Sequence, residues 1–137
     1  MQYGWPSSER RSGLGPLEVQ GMATYRMKKE SRAASADGVV VRSHAFRHKP
    51  VADLAFWSEA VRTHLLGQGY VLQRETDLTG AHWLEWAVPS RTEDLTYVTV
   101  IYPMGRRIEV IEAAGTAERV EQHRDAILQA VQQAVAE

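Results

Sequence analysis

The sequence predicts an α+β domain, an antiparallel sheet carrying two helices. Two stretches, 51–66 and 116–137, repeat apolar residues at helical spacing. Shorter runs around them alternate apolar and polar residues or are apolar throughout, as strands do. Turn residues such as Asp37-Gly38, Thr79-Gly80 and Met104-Gly105 separate those runs at short intervals. The expected order is β-β-α-β-β-β-β-α.

Residues 1–16, rich in Ser, Gly, Arg and Pro without periodicity, are expected to form a flexible leader before a single domain at 17–137. From Leu17 to Lys29 the odd positions read Leu17, Val19, Gly21, Ala23, Tyr25 and Met27, a period-two apolar face and hence a strand. "KESRAAS" reads as a loop, Asp37-Gly38 as the turn, and Val39 to Phe46 as the returning strand. Pro50 favours a helix start, so a helix is expected from Val51 to Leu66, stopped by Gly67 or Gly69. Its core stripe is Leu54, Trp57, Val61 and Leu65, on one side of the helix. Phe56 falls on the opposite side, beside Ala52, Glu59 and Thr63.

Tyr70 to Leu78 pairs with His82 to Val88, and Leu95 to Tyr102 with Arg107 to Ile111. In "TYVTVIY", Tyr97 and Ile101 occupy one face while Val98 and Val100 occupy the other. Such a strand is covered on both sides. In "HWLEWAV", His82, Leu84 and Trp86 share one face and Trp83 and Glu85 the other, Glu85 reading as a surface carboxylate beside core tryptophans. The final helix starts from a Thr116 cap and buries Val120, Ile127, Leu128, Val131 and Val135, with the Arg124 stem along that stripe.

"YVTVIYPMGRRIEVIEAAG" followed by an amphipathic helix resembles the closing hairpin and helix of PsbP-like domains. The preceding hairpin and the helix "ADLAFWSEAVRTHLLGQGY" fit the same order over residues 17–137. The resemblance implies an α/β/α sandwich and a binding or assembly role rather than catalysis, and it transfers no individual residue.

The chain has 137 residues and no cysteine, which excludes disulfides, thiol nucleophiles and cysteine-ligated zinc. No apolar run is long enough to span a bilayer, and the N-terminus lacks the apolar core of a signal peptide. A cytoplasmic location is expected, or export if the true start lies upstream. Charge is asymmetric: residues 1–50 hold nine Lys/Arg against four acids, and the rest seven against thirteen. A basic end of that kind suits an anionic surface.

Arg26, Lys28, Lys29, Arg42, Arg47 and Lys49 on the first hairpin, with Phe56, are the expected partner-contact residues, and the expected partner is a protein. Nucleic acid is the weaker expectation, because the pI is near 6.5 and the last helix is acidic. In "SHAFRHKP", His44 and His48 share a strand face roughly 13 Å apart, too far to ligate one ion. A rival reading, a small enzyme or a ligand- or metal-binding domain, places His82, Glu85 and Arg91 at a cleft beside the sheet. His82 with Glu75 and Asp77 across the Thr79-Gly80 turn is its best cluster. No phosphate-binding glycine loop, nucleophile elbow or zinc-protease motif is present, and no catalytic residue, metal or cofactor is expected.

Overall fold

A computed structural model describes residues 17–26, 30–47 and 51–136. Its elements are β1 (Ala23–Arg26), β2 (Ser31–Ala34), β3 (Val40–Arg47), α1 (Leu54–Gly67), β4 (Val71–Leu78), β5 (Ala81–Ala87), β6 (Leu95–Met104), β7 (Arg107–Thr116) and α2 (Ala117–Ala136). The strands form one antiparallel sheet in the order β1-β2-β3-β7-β6-β5-β4. After β3 the chain crosses through α1 to the far edge and returns strand by strand, so β7 closes against β3. The α+β class and the placement of both helices in the strand order agree with expectation, with β2 added to the first hairpin.

Side-chain parity divides the sheet into two cores. On one face Trp83, Val98, Val100, Ile111 and Ala113 meet Val120, Ile127 and Val131 of α2. On the other, Leu84, Trp86, Tyr97, Ile101 and Val110 meet Val61 and Leu65 of α1. The two-sided reading of "TYVTVIY" therefore holds residue by residue. The helices cover opposite faces of the sheet, α1 over β4, β5 and β6 and α2 mainly over β6 and β7. Among the described residues no helix is long and apolar enough to cross a membrane.

Two expectations shift. The first strand shrinks to Ala23–Arg26, while Leu17 and Val19 are buried in the α2-side core without being strand. Their period-two pattern reports core contact, which a folded-back segment can make as well as a strand. Conversely, "SRAA" inside the expected loop forms β2, whose small side chains have weak strand preference by themselves. Pairing rescues it: Ala33 lies opposite Val41, and the Ser31 and Ser43 hydroxyls are 2.9 Å apart. Its turn is fastened to α2, where Arg119 donates to the Asp37 carbonyl (2.6 Å) and His123 faces the Asp37 carboxylate at 3.1 Å.

The first helix also begins later than expected. Asp53 accepts from the Phe56 N–H (2.9 Å) and so takes the capping role. Gly69, with φ of 89°, provides the left-handed residue after the helix.

Gly115, near the end of β7, has no room for a side chain. A Cβ there would stand 3.0 Å from Val39 Cγ2, 3.3 Å from Val120 Cγ2 and 3.4 Å from Val39 Cα. Gly115→Ala should therefore lower stability by about 1–3 kcal/mol, through overpacking of a full core. Urea unfolding reads this directly, and an unchanged midpoint would show that the strand and helix can part at no cost.

Candidate functional site

The largest buried polar cluster is built on β7. Along this central strand Ile108, Val110 and Glu112 point to the α1 face, so Glu112 sits opposite Arg42 of β3 and Thr99 of β6. Glu112 is fully buried. Its Oε1 accepts from Arg42 Nε (2.6 Å) and His44 Nε2 (3.0 Å), and its Oε2 accepts from the Tyr97 hydroxyl. Arg42 reaches further to Glu30 (3.5 Å), which also holds Arg32 (2.9 Å). Burial pushes the Glu112 carboxyl up, but the bonds from His44 and Tyr97 and the charge of Arg42 outweigh it and hold it below the usual carboxylate range. Burial first, then the Glu112 charge, pushes the Tyr97 hydroxyl well above its ordinary value.

Arg42 was expected on a partner-facing rim, and the fold turns it inward as a counter-ion. Phe46 is buried, stacking edge-on against His44 at 4.7 Å. Arg47 is exposed at the end of β3. Arg26 lies on the edge strand β1, while Lys28, Lys29, Lys49 and His48 fall outside the described residues.

The three residues expected at a cleft do not converge. His82 points to the α1 face, Glu85 to the α2 face, and Arg91 is exposed in the connection from β5 to β6. Nor is Glu85 a surface carboxylate, since β5 is covered on both sides and leaves it 3% exposed. Arg124 reaches in from α2, with Nε and Nη2 donating to its two oxygens at 3.1 and 2.6 Å. The Trp83 indole N–H adds a third bond at 3.2 Å. The bidentate guanidinium and the indole thus take up both of its oxygens.

His82 does meet Glu75 and Asp77. Its Nε2 faces Glu75 at 2.9 Å and its Nδ1 faces Asp77 at 2.7 Å. Arg62 of α1 joins Glu75 to Glu59, giving the chain Glu59–Arg62–Glu75–His82–Asp77 along one border of α1. His82 and then Arg62 hold the Glu75 carboxyl below its usual range. Both imidazole nitrogens are occupied by carboxylates, which leaves neither to ligate an ion. No group of three ligand-type side chains suited to a metal occurs among the described residues.

What remains open is the outer side of α1. Phe56 is 51% exposed and Leu66 49%, with Glu59 and Thr63 between them, also exposed. The Phe56 ring stands edge-on to Trp57 at 5.0 Å, so a half-buried neighbour steadies it. Phe56 was visible from the helical wheel, whereas Glu112 and Tyr97 were not recognised as a pair. Parity could have found them: Glu109 and Glu112, three apart on a strand between two cores, lie on opposite faces and are both buried. No protein-family model matches the chain and no curated protein matches it, so the site rests on its own geometry.

Proposed function

We propose that this chain is a non-catalytic binding module, an accessory or assembly factor that contacts a partner protein through the outer side of α1. One observation carries the reading. Of the five large apolar side chains exposed among the described residues, Phe56 and Leu66 lie on α1, and Val51 and Val71 lie just beyond its ends. Large apolar exposure gathered on and around one element supports a contact surface there. The polar clusters support the same reading, because Glu85, Glu112 and His82 are each occupied by partners within the chain. The resemblance to PsbP-like domains points the same way. Arg47, exposed at the end of β3 on the parity of the α2 face, lies apart from this surface and serves as a control position.

Affinity capture with the full chain, against Phe56→Glu and Arg47→Glu, tests the reading. A defined partner should be recovered, and Phe56→Glu should reduce its recovery at least about tenfold, as loss of a central aromatic anchor does. Equal recovery by the variant would overturn the surface. A reproducible thermal shift from a small metabolite or divalent metal would favour a ligand-binding domain instead.

A further inference from the structure

We infer that the partner segment seated on α1 is an amphipathic helix carrying a lysine or arginine at the centre of its apolar seam. This rests on the binding-module reading above and adds the chemistry of what is bound. Phe56, Glu59, Thr63 and Leu66 follow one another at spacings of three, four and three residues. That is the spacing of a coiled-coil seam, and here it faces away from the protein's own core. The seam is apolar at both ends, small at Thr63, and charged in the middle, where the Glu59 side chain is 65% exposed. At 14 residues α1 is about 21 Å long, enough for a partner helix of about four turns.

Charge selects the occupant. In the ion-pair chain that starts at Glu59, the carboxylates of Glu59, Glu75 and Asp77 are set against one guanidinium, Arg62, and one imidazole, His82. The end members are the most open, Asp77 being 92% exposed. A second copy of this chain fits this surface poorly. Antiparallel pairing that sets Phe56 on Leu66 of the other copy brings the two Glu59 carboxylates within about 6 Å along the axis. Like charges that close oppose association, and the two acidic borders would add to it. A cationic helix meets the same carboxylates with the opposite sign.

The test uses two helical peptides of α1's length with identical leucine seams, one bearing lysine and the other glutamate at the seam centre and flank. Each is titrated into the full chain by fluorescence anisotropy. The lysine peptide should bind about tenfold or more tightly than the glutamate peptide. Glu59→Lys should invert that order, and Leu66→Asp should weaken both. These positions are exposed, and circular dichroism verifies that each variant keeps its fold. Binding of neither peptide, equal binding, or an order that survives Glu59→Lys overturns the inference. So does sedimentation showing a dimer that Leu66→Asp dissociates, because a second copy would then own the face. If a captured partner is lost by Phe56→Glu yet indifferent to Glu59→Lys, the module reading stands and the cationic helix falls. If Phe56→Glu leaves capture intact, the module reading itself fails.

Discussion

Replacing Glu112 with alanine should cost about 3–5 kcal/mol, a large part of the stability of an ordinary domain. The carboxylate is fully buried and neutralises Arg42 while accepting from His44 and Tyr97. Its removal takes away the carboxylate that neutralises the Arg42 guanidinium and accepts from His44 and Tyr97 in a buried site. That is costlier than the cavity alone. Glu112→Gln keeps the volume but removes the charge and should fall between the two. The pH dependence carries the same signature. Glu112 titrates below its ordinary value in the folded state, so its contribution is present above about pH 4.3 and is lost as the pH falls towards the folded value. Tyr97 is shifted the other way; its contribution is present below about pH 10 and is lost as the pH climbs beyond that. Urea unfolding across pH should show both limbs in the wild type. Tyr97→Phe should remove the alkaline limb and weaken the acid one. Glu112→Gln should remove the Glu112 share of the acid limb and keep the burial-driven part of the alkaline one. A Glu112→Ala protein within about 1 kcal/mol of wild type would mean that Arg42 and Tyr97 find water or other partners, and the cluster would lose its structural role.

How far these features could be read beforehand depends on which physical constraint each obeys. The strands β4 to β7 and both helices were legible because their apolar spacing answers to one sheet and two covering layers. β2 was not, since its serine and alanines carry little preference until β3 is beside them. The start of α1 was misjudged because Val51 and Ala52 suit a helix, while the cap chosen was Asp53. Among site residues, Phe56 and the His82 cluster were legible from local spacing alone. Arg42 and Glu85 were not, because each is defined by a partner far away in sequence, Glu112 and Arg124. A charge count assigned Arg42 to a basic surface. Only the strand register, with Arg42 directly across from Glu112, makes it a counter-ion. Long-range ion pairs of this kind leave no periodic trace, but two-sided burial of a strand announces that its carboxylates need them.

Arg124→Met should be the second severe substitution, costing about 3–5 kcal/mol. Methionine keeps the stem that packs along α2 but leaves Glu85, 3% exposed, with the Trp83 indole as its remaining bond. A buried carboxylate in that state must either stay charged against desolvation or take up a proton, and both routes lower stability at neutral pH. Glu85→Leu leaves the opposite problem, though a milder one, because the Arg124 side chain retains 18% exposure and can turn its head towards water. The double variant, Glu85→Leu with Arg124→Met, should then be more stable than Arg124→Met alone. Two apolar side chains of similar volume carry no charge to desolvate. A double-mutant cycle read by urea unfolding measures this coupling. If the double variant were as unstable as the sum of the single changes, the pair would act independently and the bidentate geometry would contribute nothing. If instead it recovers, Glu85 and Arg124 serve mainly to set where α2 lies on the sheet. The apolar variant would then keep its stability while packing that helix in more than one register, visible as doubled or broadened amide resonances along α2.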